Sequence, residues 1–271
     1  MSPTPRPRAT SCAPRSPDWT RWPELGRLRL DQLLVDRGLF ESRAKARAAV
    51  EAGRVQVDGR TARKPSEAVE TTAELAAEPA HPWVGRGGVK LAHALDLWPV
   101  PVEGRTVLDV GASTGGFTEV CLARGARRVY AVDVGRGQLH ARLAADPRVT
   151  SLEGTDARAL DTGLLPEPPG LVVCDASFIG LAKVLARPLE LTAPEADLVA
   201  LVKPQFEVGP DRVDKGRVRD PEARRAAVEE VCDWLQAKGW RVRASCESPI
   251  AGGDGNIEHL LWASRLWASR L

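Results

Sequence analysis

The 271-residue sequence predicts an α/β fold, a doubly wound and mostly parallel sheet preceded by a small α+β domain. Two observations carry the large domain. Residues 106–124 read as a buried strand, a glycine-rich loop (GASTGG) and a helix, and short apolar runs then alternate with helical patterns as far as residue 203. A third observation carries the small domain: residues 1–64 hold 14 Lys and Arg against 7 Asp and Glu, whereas the whole chain is only +2.

Residues 1–26, with six prolines and few aliphatic side chains, are expected to form a disordered tail. From Arg27, the helical spacing of Leu30, Leu33 and Leu34 predicts one helix closed by Gly38, and Ser42 and Gly53 bound a second. Val55 and Val57 alternate as a strand running into the turn Asp58-Gly59. Arg43 and Arg47 share a helical face, with Arg29, Arg37, Lys45 and Arg54 close in sequence, so these six are the candidate RNA-phosphate contacts. Prolines 65, 79 and 82 mark residues 65–84 as a link, which assigns 27–84 to the small domain with its linker and 85–266 to the large one. Lys90 follows three glycines and opens an amphipathic helix of Leu91, Ala94, Leu95 and Trp98.

In the large domain, strands are expected at 106–110, 128–133, 148–152, 171–175 and 197–203, with helices at 117–124 and near 137–144. Parallel sheets bind ligands at the carboxyl ends of their strands, which is where Asp133, Asp175 and Lys203 fall. Residues 204–219 lack periodicity and read as a mobile loop beside the cleft; Asp220 then caps a helix that begins at Pro221 and ends at Lys238-Gly239. The strand WRVRASC, a glycine loop and a final strand opened by Glu258 complete the domain. The last ten residues repeat WASRL, leaving 267–271 as a duplicated tail with no chemical account.

No run approaches the roughly 18 apolar residues of a membrane span, and the Pro/Arg-rich start lacks a secretory core, so a cytoplasmic protein is expected. Five cysteines without C-x-x-C argue for reduced thiols, with no zinc site. Because 31 of the 38 basic residues are Arg, each Lys marks a possible need for an amine that can lose its proton, which directs attention to Lys90 and Lys203.

The loop itself is neither G-x-G-x-x-G nor a Gly-Lys-Ser/Thr phosphate loop. Gly111-Ala112-Ser113-Thr114-Gly115 does match the G-x-S-x-G elbow of serine hydrolases, with Asp175 and His259 in the required order. Asp109 within the strand and Asp133 after the next one favour a cofactor instead, since Asp133 is placed to accept from ribose hydroxyls and Asp156 to read an adenine amine.

R-L-D-x-L-L, S-R-x-x-A and G-x-V-x-V-D-G resemble the S4 RNA-binding domain. With WVGRGGVKL, LDVGASTGGFTEV, DVGRGQL, CDASFI, LVKPQFEVG and GNIEHLLW, residues 27–264 resemble the TlyA family, an S4 domain joined to an FtsJ-like, Rossmann-like methyltransferase. The resemblance implies S-adenosylmethionine-dependent 2′-O-methylation of cytidine ribose in ribosomal RNA or ribosomal subunits, the large-subunit RNA being favoured over the small, with no metal or membrane. It implies a catalytic tetrad of Lys90, Asp175, Lys203 and Glu258, in which neighbouring ammonium groups favour a neutral Lys203 as base. The cofactor set is then Asp109, Gly111, Ala112, Ser113, Gly115, Gly116, Phe117, Asp133, Val134 and Asp156. Ala176 and His259 depart from the commoner family pattern. The alternative to an enzyme is a ribosome-binding factor that retains only the S4 function.

Overall fold

The computed structural model describes residues 26–265, so residues 1–25 of the expected N-terminal tail and the duplicated tail 267–271 lie outside the described residues. The chain divides into two compact units between Pro82 and Trp83.

The first unit runs β1 (Arg27–Arg29), α1 (Leu30–Asp36), α2 (Arg43–Glu51), β2 (Val55–Val57), β3 (Arg60–Thr61), β4 (Ala68–Glu70) and β5 (Leu75–Ala77). Ser42 caps α2 as its sequence position predicts, accepting from the Lys45 main-chain N–H. Leu30, Leu33 and Leu34 pack on Ala46, Ala49, Val50 and Val55 to make a small core. The link expected over 65–84 holds two strands as far as Ala77: β4 pairs antiparallel with β1, and β5 with β2. β4 has a single inward residue, Val69, flanked by exposed Ala68 and Glu70, and three residues are too few to display an alternation.

The second unit contains α3 (Gly87–Leu97), β6 (Thr106–Val110), α4 (Gly116–Ala123), β7 (Arg128–Asp133), α5 (Ala141–Ala144), β8 (Val149–Glu153), β9 (Leu171–Cys174), α6 (Leu181–Glu190), β10 (Asp197–Val202), α7 (Pro204–Glu207), α8 (Pro221–Ala237), β11 (Trp240–Glu247) and β12 (His259–Arg265). Its seven-stranded sheet has the order β11-β12-β10-β9-β6-β7-β8. The five strands from β10 to β8 are parallel, whereas β12 lies antiparallel between β10 and β11. From β6 the chain moves outward through β7 and β8, then returns to β9 and proceeds the other way, which puts the topological switch point between β6 and β9.

β6, β9 and β10 are buried along their whole length, because helices cover both faces of the sheet. One face packs Val107, Val173 and Val199 with Leu91 and Ala94 of α3 and Phe117 and Val120 of α4. The other packs Leu108, Val172 and Leu198 with Leu185 and Leu189 of α6 and Val231 and Leu235 of α8. The sequence reading missed α6, whose interior Pro188 resembles a helix stop; the helix runs only as far as Glu190, so the proline falls in its last turn. The expected helix near 137–144 shrinks to the one-turn α5, and the loop expected over 204–219 contains α7 and a 3₁₀ turn, Pro210–Arg212.

Asp220 accepts from the main-chain N–H groups of Glu222 and Ala223 at the start of α8. Asp220→Ala is expected to lower unfolding free energy by about 1 kcal/mol in urea titration, and an unchanged midpoint would remove the cap's role.

Candidate active site

The carboxyl ends of β6, β9 and β10 meet the start of α3 around a pocket of about 310 Å³. That is the lower end of the range for small-molecule sites, about 300–1,000 Å³. Gly111, Ala112, Ser113, Thr114, Gly116 and Phe117 form one wall, and Gly85, Arg86, Gly87 and Lys90 form another. Asp175, Ser177, Lys203 and Gly253 complete it.

Backbone sterics shape this cradle. Gly111 has φ +81°, and a Cβ there would stand 2.8 Å from the Ala176 Cα, so the loop can lie against the segment after β9 only without a side chain. Across the pocket, a Cβ on Gly87 would stand 2.9 Å from Asp175 Oδ2, so the bare first residue of α3 makes room for that carboxylate. Asp133, at the end of β7, accepts from the Ser113 N–H at 2.8 Å and the Gly135 N–H at 2.7 Å, which ties the loop to the neighbouring strand.

The four expected catalytic side chains assemble as two lysine–carboxylate pairs. Lys90 Nζ donates to Glu258 Oε2 at 2.6 Å, and both side chains are buried. Glu258 sits behind Lys90 rather than on the pocket wall, under Gly252 of the preceding loop. Lys203 Nζ donates to the Asp175 main-chain carbonyl at 3.1 Å and to Ser177 Oγ at 2.7 Å. Asp175 Oδ1 is 2.8 Å from the same nitrogen, yet out of alignment for a hydrogen bond. Two N–H positions of Lys203 are thus held by fixed oxygens, and the third is left for an acceptor or, as a lone pair, for a proton. Each lysine therefore has a carboxylate of its own, Glu258 for Lys90 and Asp175 for Lys203.

Asp109 does not line the pocket. Its side chain is fully buried, accepts from Thr118 Oγ1 at 2.6 Å, and leaves Oδ1 without a partner among the described residues. Burial, opposed in part by the Thr118 hydrogen bond, pushes its pKa up to about 7. Gly115 provides the left-handed turn before α4 and is also off the wall. Val134 is exposed outside the pocket, and Asp156 caps the 3₁₀ turn Ala157–Ala159 and pairs with Arg158 at 2.6 Å.

The hydrolase reading of G-x-S-x-G fails on geometry. The hydroxyl of Ser113 pairs with Gln138 at 3.2 Å, Asp175 stands with Lys203, and Nδ1 of His259 has no partner among the described residues. Ser177 and Phe178 were not singled out in the sequence. Phe178 is 91% exposed, holds a left-handed φ of +65°, and tilts against Phe206 at 5.3 Å. The signal available was the string SFI after Asp175, since a large aromatic beside a strand end is unusual on a surface.

The six candidate phosphate contacts of the first unit differ in their freedom. Arg37 is committed to the main-chain carbonyls of Ala73 and Thr71, Lys45 pairs with Glu41, and Arg54 with Glu78. Arg29 and Arg43 both reach Asp31, and Arg47 makes no ion pair among the described residues.

Comparison with known proteins gives a consistent result. Residues 83–265 match the FtsJ-like methyltransferase model, and residues 28–75 match the S4 domain. The chain is 47% identical over 243 residues to the 16S/23S rRNA (cytidine-2′-O)-methyltransferase TlyA of Mycobacterium tuberculosis strain H37Rv, covering 87% of this chain and 89% of that protein. It is 35% identical to Hemolysin A of Brachyspira hyodysenteriae, covering 86% and 98%. A solved structure of a hemolysin-named protein from Streptococcus thermophilus superposes with a TM-score of 0.70 at 38% identity, covering 89% of each chain. No helix among the described residues is long and apolar enough to cross a membrane.

Two expectations follow from this geometry. Gly111→Ala should lower unfolding free energy by at least the roughly 1–2 kcal/mol of left-handed strain, because Ala176 blocks relaxation; a wild-type urea midpoint would refute the close approach. Asp109, neutral in the fold up to about pH 7, ionises in the unfolded chain from about pH 4, so stability is full at low pH and is lost as pH rises across that window. Asp109→Asn, which stays neutral, should therefore gain on the wild type between pH 4 and 8, measured by urea unfolding at each pH; a constant difference would show that Asp109 is ionised throughout.

Proposed function

The chain belongs to the TlyA family, an S4 domain followed by an FtsJ-like methyltransferase, and from this we propose that it methylates ribose 2′-hydroxyls of cytidines in ribosomal RNA, with large-subunit RNA the first target and small-subunit RNA the second. The observation that carries this reading is the convergence of Lys90, Asp175, Lys203 and Glu258, from four separate segments, beside a glycine-loop pocket. The residues present fit S-adenosylmethionine. The wall from Gly111 to Thr114 and at Gly116 carries only small side chains, and Asp133, off the pocket wall but tied to the loop through Ser113, holds two N–H groups while retaining lone pairs for a ribose diol. When bound, the cofactor supplies an electrophilic methyl group on a sulfonium.

A ribose hydroxyl becomes an effective nucleophile only as its proton leaves. Lys203 acts in its neutral amine form: its two N–H groups are held by Asp175 O and Ser177 Oγ, its lone pair takes the proton of the 2′-hydroxyl, and Asp175 Oδ1 stays beside the ammonium so formed. Lys90, fixed by Glu258, directs positive charge at the oxygen as it becomes anionic. Holding oxygen and methyl carbon in line supplies much of the rate. Phe178, exposed and backed by the partly buried Phe206, offers an aromatic surface on which an unstacked base can lie. Lys45, Arg47 and the neighbouring arginines of the first unit supply phosphate contacts, which position the RNA without reading its sequence.

The test is transfer of tritiated methyl from S-adenosylmethionine to purified ribosomal subunits. Lys203→Ala should reduce incorporation by about 10²–10⁴-fold, the usual worth of a general base, and Ser177→Ala should lower kcat with KM little changed. If neither subunit takes label while the protein still binds them, the chain is a non-catalytic ribosome-binding factor.

A further inference from the structure

Asp31 lies in the first turn of α1, a position where a carboxylate ordinarily faces water, yet it is wholly buried. Three charge-assisted hydrogen bonds compensate it. Arg29 gives Nε to Oδ1 and Nη2 to Oδ2, each at 3.0 Å, and Arg43 gives Nη2 to Oδ2 at 2.9 Å. The two arginines come from different elements, the end of β1 and the start of α2, and each side chain remains about half exposed. The carboxyl is held down to about 2, with the Arg29 hydrogen bond the largest cause, so the arrangement persists across physiological pH.

A stabilising ion pair alone does not require this form. Buried charge pairs are often no better for stability than apolar side chains, and a single arginine would serve. What the arrangement does achieve is to fix two otherwise floppy guanidiniums, at their Asp31 edge, while Nη1 of Arg29 and both Nε and Nη1 of Arg43 remain uncommitted to that carboxylate. Guanidinium donors held in a fixed plane suit the oxygens of a phosphodiester.

We infer that Asp31 is the positioning residue of a phosphate-binding fork, in which Arg29 and Arg43 together grip the RNA backbone. This rests on the reading that the basic face of the first unit binds ribosomal RNA, and it identifies which part of that face is built in advance. It also makes a prediction opposite in sign to simple electrostatics. Removing a negative charge beside two arginines should strengthen polyanion binding if charge alone matters, but weaken it if fixed geometry matters.

The experiment measures binding of the full chain to a fluorescent ribosomal RNA fragment over a salt series, with thermal melting as the folding control. Asp31→Asn is expected to weaken binding about tenfold at fixed salt and to flatten the salt dependence by about one phosphate contact. Arg29→Lys with Arg43→Lys keeps the charge and removes the planar fork, and should weaken binding similarly even if Asp31→Asn fails to fold. Unchanged or tighter binding by the folded Asp31→Asn protein, or wild-type binding by the double lysine variant, overturns the inference. Lys45→Ala with Arg47→Ala separates the two claims: wild-type binding by this variant and by both fork variants refutes the RNA-binding face itself, whereas loss there with wild-type behaviour of the fork variants refutes the fork alone.

Discussion

The site depends on the register of the parallel strands. Val110 pairs with Val132 on one side and Cys174 on the other, and Cys174 pairs with Ala200. β6, β7 and β9 therefore end almost level, with β10 a little beyond, and the segments that follow them emerge along one edge. Asp133, Asp175 and Lys203 occupy the first positions after or at those ends. A one-residue slip in any pairing would turn the side chains of that strand to the opposite face. The same alternation directs Val107 and Leu108 into separate cores, so packing of both helical layers enforces the alignment on which the proposed chemistry relies.

Charge is distributed unevenly around that edge. Lys90 and Glu258 compensate each other out of contact with water, and Lys203 shares its protons between Asp175 and Ser177. Asp109 is desolvated by burial with no cation to offset it, and its pKa is raised for that reason. The groups proposed to take part in proton transfer are thus held by specific partners, while the carboxyl beneath the loop is kept close to neutrality by desolvation. In the first unit the same principle reappears in a different use. Asp31 is as closed to solvent as Asp109, but its cover is two half-exposed arginines, which hold it ionised.

Much of this was legible in the order of residues. Continuous apolar runs marked β6, β7, β9 and β10, Asp220-Pro221 marked the start of α8, and the glycine loop marked the pocket wall. The failures have identifiable causes. β4 and β5 are too short for periodicity to register, Pro188 disguised α6, and the antiparallel insertion of β12 between β10 and β11 depends on long-range pairing that no local pattern encodes. Ser177 was passed over because a serine after a strand is common, and only its 2.7 Å approach to Lys203 distinguishes it.

By itself, the sequence determined which residue types were available and where along the chain they stood: a flexible loop, strand-end acids, a few lysines among many arginines, and a basic N-terminal block. Tertiary structure decided their partners. Lys90 meets Glu258 across 168 residues, Lys203 meets Ser177 across 26, and Arg43 meets Asp31 across 12. It also decided that Asp109 lies below the pocket and that Arg37 is spent on its own main chain. Local spacing reports which face of an element a side chain occupies, whereas the partner of a charge and its access to water are properties of elements brought together only by the packed core.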